Sequence, residues 1–165
     1  FVGLGSSYYH WKPTTETLFW DRLPMSVSFM SLFSAIICDR INRIAGTFVV
    51  MPILLLTGVY SVIYWQYTEM MAVGDLRLYG LVQFFPILAI PIILFLFRNY
   101  KYTVPNSIFW ILGWYVCAKL FEHYDSSISN LFGDYLSGHS IKHLAASVSV
   151  ILVLRMLKKS KRNRC

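Results

Sequence analysis

Five apolar runs, each about the length of a bilayer crossing, dominate this sequence and leave it few ways to fold. They extend from Leu18 to Cys38, Gly46 to Tyr67, Leu76 to Phe97, Pro105 to about His123, and Gly138 to Leu157. About 20 consecutive apolar residues span the hydrocarbon core of a membrane as a helix. In lipid the backbone must satisfy its own hydrogen bonds, which restricts such runs to helices or closed barrels. Their length and composition predict helices. A shorter apolar stretch, Phe1 to Tyr9, precedes them. It is too short to cross a bilayer and reads as the last half of a helix, with the chain a fragment beginning part-way through it. It has no basic flank or cleavage site of the kind a signal peptide carries.

Composition agrees with an all-α, polytopic membrane bundle. The chain is 56% hydrophobic, with only 14% charged residues, where a soluble domain averages about 25%. Its mean hydropathy is +0.54. The formal net charge of +7 is not a nucleic-acid signal, because the bases sit between the apolar runs and in the tail from Lys158 to Arg164. Arg40 and Arg43 follow the first full run, Arg98 and Lys101 the third, and the basic tail the last. Glu16, Asp21, Glu69, Asp75, Glu122, Asp125 and Asp134 lie towards the alternate ends. By the positive-inside rule the basic ends are cytoplasmic. The tail, residues 158–165, is expected to meet anionic lipid headgroups. The whole chain, 1–165, reads as one integral membrane domain. Pro86 and Pro91 predict kinks in the third full helix. Cys38, Cys117 and Cys165 form no disulfide framework and no paired metal motif.

The loop charges bring His10, Asp21, His139 and His143 to the same, non-cytoplasmic, face. On a helix, His139 and His143 share one side, with Cβ atoms roughly 5–6 Å apart. That spacing offers two imidazoles to one metal ion. A third histidine and an open position would make a catalytic zinc site rather than a closed structural one. Either His10 or His123 can supply the third ligand on sequence grounds. Ser6 and His10 are also four apart. Asp21 is either a base beside a metal-bound water or an N-cap of its helix. Ser6 is either an oxyanion donor or a small packing residue, and Ser7 is an alternative to it. Lys119 and Glu122 are expected to pair across one helical turn. There is no HExxH and no glycine-rich phosphate loop.

These residues resemble a known family. Ser6-x-x-x-His10, the step of eleven residues to Asp21, and His139-x-x-x-His143 at the head of the last helix are similar to the alkaline ceramidases. That family belongs to a superfamily of seven-helix membrane hydrolases that also includes the progestin and adiponectin receptors and the lipid-remodelling factors of GPI anchors. Gly5-Ser6-Ser7-Tyr8-Tyr9-His10 and Trp20-Asp21-Arg22-Leu23-Pro24-Met25 look most like the ceramidase branch. The resemblance covers nearly the whole chain. It implies a seven-helix fold here lacking the first helix and part of the second, leaving about five and a half helices. It implies zinc held by His10, His139 and His143, with Asp21 deprotonating the water and Ser6 stabilising the oxyanion. The implied reaction is hydrolysis of the ceramide amide to a sphingoid base and a fatty acid, so the partner is a membrane lipid substrate. Family members that bind calcium do so largely through the missing amino-terminal region, so no calcium ligand is assigned. Alternatives of the same superfamily are a lipid esterase or phospholipase and a receptor-like protein with structural zinc.

Overall fold

The first long helix is placed by its cap, not by its hydropathy. The Thr14 hydroxyl accepts from the Thr17 backbone N–H at 3.2 Å, and the Thr17 hydroxyl accepts from the Thr14 N–H at 3.0 Å. This reciprocal capping box satisfies two N–H groups that a helix start leaves open. The helix therefore begins at Thr15 and runs to Arg40, outreaching the apolar run at both ends. The alternative reading of Asp21 as an N-cap is thereby corrected, since Asp21 is the seventh residue of the helix.

The computed structural model describes residues 1–132 and 138–162, apart from the side chains of Leu131, Phe132, His139, Lys161 and Arg162. Asp134 and the end of the basic tail, residues 163–165, lie outside the described residues. The described chain is all-α and contains no strand. It comprises α1 (Val2–Trp11), α2 (Thr15–Arg40), α3 (Arg43–Ala45), a π-helical turn (Gly46–Val50), α4 (Met51–Met70), α5 (Arg77–Leu96), α6 (Pro105–His123), α7 (Asp125–Phe132) and α8 (Gly138–Arg162). Two compact units form, Phe1–Asn99 and Tyr100–Cys165.

In the first unit α2 packs against α1, α4 and α5. Its core includes Met30, Phe33, Ile36, Val62, Trp65, Val82 and Ile90. The two prolines expected to kink α5 lie inside it, and the helix continues through both Pro86 and Pro91. Each leaves the carbonyl four residues earlier, that of Val82 and of Ile87, without its usual N–H donor. Pro52 has the same effect near the start of α4, and the wide turn Gly46–Val50 lies just before it. There the Met51 N–H reaches back five residues to the Gly46 carbonyl. Arg40, only 6% exposed, donates from Nη1 to the Phe97 carbonyl at 2.8 Å. It thus places a cation on the carbonyl end of α5, where the helix dipole favours one.

In the second unit α8 lies along α6. The Ser149 hydroxyl donates to the Ile111 carbonyl at 3.1 Å, and Ser160 to the Tyr102 carbonyl at 2.9 Å. The latter bond helps explain why α8 continues past Leu157 to Arg162, into sequence that its charge had marked as a tail. The short helix α7 has no counterpart among the apolar runs.

Among the described residues, four helices are long and apolar enough to cross a membrane: Thr15–Arg40, Arg43–Met70, Arg77–Leu96 and Ser140–Ser160. Only 17–28% of the most apolar part of each is buried inside the protein. Leu56, Leu88, Phe95 and Val150 stand outward, as a lipid-facing surface requires. Helix α6, expected as a further span, is formed as expected, but is not among these four. Asn106, Lys119 and Glu122 dilute its apolar character.

Helix α4 ends in a Schellman motif. Ala72 N–H donates to the Glu69 carbonyl and Val73 N–H to the Thr68 carbonyl, each at 2.9 Å. Ala72 adopts φ 59°, and Gly74 follows at φ 61°. The left-handed backbone favours glycine at Gly74, where a Cβ would meet only the mobile end of the Glu69 side chain, Oε2 at 2.7 Å. At Ala72 the left-handed backbone costs an L residue roughly 1–2 kcal/mol. Glycine avoids that cost and gives back part of the gain in unfolded-chain entropy. Ala72→Gly is therefore expected to stabilise the protein by up to about 1 kcal/mol, read as a higher midpoint of thermal unfolding in detergent.

The same loop holds Asp75, whose side chain is 9% exposed beside an 89% exposed Arg77. Hydrogen bonds from the Arg77 side chain, above all, hold the Asp75 carboxyl well below the usual carboxylate range. A depressed carboxylate stabilises the fold at pH above its unfolded value, about 3.9. That contribution is lost as pH falls from there through the folded value. Acid unfolding of wild type and Asp75→Asn should therefore differ in slope below about pH 4 and run parallel above it.

Candidate functional site

The candidate residues fall on two helix pairs, one in each unit. In the first, α1 lies on α2 at Gly5, which is buried. A Cβ at Gly5 would collide with the Trp20 carbonyl oxygen and come within 3.3 Å of the Asp21 Cα. Pro24 sits four residues after Trp20 and has no N–H to offer that carbonyl. The sequence thus opens a backbone acceptor on α2, and a glycine on α1 brings Cα–H groups to it, a close contact of the C–H···O type.

This contact sets the neighbourhood of two candidates. Ser6 follows Gly5 directly and is half-buried, whereas Ser7 is exposed. That difference favours Ser6 over Ser7 as the inward-facing hydroxyl. Asp21 is half-buried on the α2 segment that Gly5 touches. His10 lies one turn beyond Ser6, exposed at the end of α1, with its ring centroid 5.3 Å from that of Tyr9.

In the second unit, His139 and His143 both belong to α8, so the backbone meets the four-residue spacing. His143 is half-buried, and its carbonyl accepts from the Ser147 hydroxyl at 2.8 Å. The His139 side chain lies outside the described residues. The head of α8 is seated closely on α6 and α7. A Cβ at Gly138 would collide with the Phe121 carbonyl oxygen and come 2.8 Å from the Asp125 Cα.

One turn along, Glu122 joins the two long helices electrostatically. Lys119 Nζ lies 2.7 Å from Glu122 Oε2, as the three-residue spacing predicted, and Lys142 Nζ lies 3.0 Å from Glu122 Oε1. Lys142 was missed as a partner because its sequence separation hides the α6–α8 contact. His123, the other candidate for third ligand, is exposed and packs edge-on against Tyr124 at 4.9 Å.

Three imidazoles suit zinc by donor chemistry. Of the three, His10 belongs to the first unit and His143 to the second, and the His139 side chain lies outside the described residues. Among the described residues no three His, Cys, Asp or Glu side chains converge on one point.

Arg22 was given no role on sequence grounds. Its guanidinium carbon lies 4.0 Å from the centre of the Trp65 ring and 5.0 Å from that of Tyr79. Val62, Trp65 and Tyr79 form a buried cluster, covered by Leu18, Phe19 and Leu23. The available signal was an arginine inside an apolar helix.

Comparison with models of protein families, with curated proteins and with solved structures finds no match to this chain. The fold itself defines the class: a helical membrane protein, with four helices among the described residues long and apolar enough to span a bilayer.

The seating of α1 is testable by a paired substitution. Gly3→Ala, with nothing within 4 Å of the new Cβ, should stabilise α1 by about 0.5–1 kcal/mol through helix propensity. Gly5→Ala should instead destabilise by about 1–3 kcal/mol through overpacking. Thermal unfolding of both variants in one detergent checks the sign reversal.

Proposed function

We propose that this protein is a zinc-dependent intramembrane hydrolase that cleaves the amide bond of ceramide or a ceramide-like lipid. The observation that carries the reading is the contact of α1 on α2 at Gly5, which seats the half-buried Ser6 beside the α2 segment that bears Asp21. A carboxylate and a hydroxyl on neighbouring helical segments are groups that water-mediated amide cleavage can use. The resemblance to the alkaline ceramidases supplies the reaction and substrate class.

In this reading His10, His139 and His143 would hold zinc, which when bound would supply Lewis-acid chemistry and a readily ionised water. Asp21 would act as the general base and then return the proton to the leaving amine. The Ser6 hydroxyl donates to the developing oxyanion. Glu122, bonded to Lys119 and Lys142, holds the His143 segment of α8 on α6. The basic loop ends and tail face the cytoplasm, which puts these groups towards the opposite face. A lipid substrate reaches them by lateral diffusion.

The test is release of sphingoid base from a ceramide panel by purified protein in liposomes, quantified by mass spectrometry. Wild type should release it. His143→Ala should release at least a hundredfold less, while unfolding at a similar temperature. No release from any ceramide by a wild type shown to contain zinc would overturn the reading.

A further inference from the structure

The Arg22 guanidinium is the most unusual polar group in the first unit. Arginine carries five N–H donors and no acceptor. Nη1 is buried and finds no hydrogen-bond partner among the described residues. The planes of Trp65 and Tyr79, at 4.0 and 5.0 Å, attract the charge. A ring face is a poor substitute for an oxygen acceptor, however, and an unmade hydrogen bond of a buried charged group is costly. The residue as a whole is half-buried. It follows Asp21 directly in α2.

The surrounding charge narrows the choice of partner. Asp21 precedes Arg22 directly on α2, and Glu69 stands one turn beyond Trp65 on α4, so the two segments that hold the guanidinium each carry a carboxylate. A further anion would meet two carboxylates, whereas an uncharged oxygen would gain a charge-assisted hydrogen bond without that repulsion. The apolar wall of Val62, Leu18, Phe19 and Leu23 suits a molecule that carries its oxygen on a hydrocarbon body.

We propose that Arg22, boxed by Trp65 and Tyr79, is a binding site for an uncharged oxygen, hydroxyl or amide carbonyl, of a lipid headgroup. The choice of a ceramide-like lipid as its occupant rests on the hydrolase reading above. The site places that oxygen beside the segment that carries Asp21.

The experiment is equilibrium binding to the purified protein in detergent, with Arg22 intact or substituted in a His143→Ala background so that the probe is not turned over. The probes are N-hexanoyl-sphingosine, palmitate and pentadecane. Arg22→Met should weaken N-hexanoyl-sphingosine about tenfold or more, the scale of one charge-assisted hydrogen bond, and leave pentadecane within about twofold, since an alkane makes no such bond. Arg22→Gln, which removes the charge but keeps an amide donor, should weaken N-hexanoyl-sphingosine about threefold or more. It carries the test if Arg22→Met does not fold. Equal affinity for N-hexanoyl-sphingosine with Arg22 intact and substituted overturns the proposal. So does tighter binding of palmitate than of N-hexanoyl-sphingosine with Arg22 intact, which would make this an anion site. Binding that depends on Arg22, without hydrolysis by wild type, keeps the site and removes the hydrolase reading. Hydrolysis with an affinity indifferent to Arg22 does the reverse.

Discussion

A membrane interior offers a polypeptide no hydrogen-bonding solvent, and most of this structure follows from that. Backbone groups pair within helices because an unpaired one costs several kcal/mol in lipid, by a general estimate of about 2–7. Side-chain hydroxyls obey the same rule. Ser26, Ser34, Ser61 and Thr68 are buried, and each donates back to a carbonyl of its own helix, three residues earlier. Ser28, Ser31 and Thr57 do so from exposed positions, four residues back. These bonds let a span carry polar atoms without seeking water.

The same solvent gives helices little hydrophobic reason to associate, so close backbone approach matters more than bulk. Gly5 against Trp20 and Gly138 against Phe121 are contacts in which a glycine meets a carbonyl of another helix. Both precede candidate site residues, Ser6 in one case and His139 in the other. The missing Cβ is what allows the following residue to be brought near the neighbouring helix. Charged groups are then anchored where packing permits: Arg40 on the Phe97 carbonyl, Glu122 between two lysines.

Helix content was legible because a bilayer crossing demands a long uninterrupted apolar stretch, and α2, α4, α5 and α8 each contain one. Boundaries were less legible. Caps depend on local hydrogen bonds, so Thr14 rather than the first apolar residue starts α2. The end of α8 depends on a bond from Ser160 to Tyr102, fifty-eight residues away. Helix α7 is short and amphipathic, and no apolar run announces it. Among site residues, the spacing of Ser6 and His10 and of His139 and His143 is a property of the helix, and the chain alone revealed it. Which of Ser6 and Ser7 is the less exposed needed the neighbouring helix.

The amino-acid sequence by itself determined that this chain is a bundle of membrane helices, because hydropathy over a bilayer's thickness is a local, additive property. It also determined which residues share a helix face, because 3.6 residues per turn is independent of surroundings. Only the tertiary structure decided that Asp21 is interior to its helix, that Lys142 completes the Glu122 pair, and that Arg22 rests between Trp65 and Tyr79. The first follows from a local cap whose hydrogen bonds the apolar pattern does not announce; the other two depend on contacts between segments distant in sequence, whose approach is governed by the shape of the surfaces that meet and not by the periodicity of either segment.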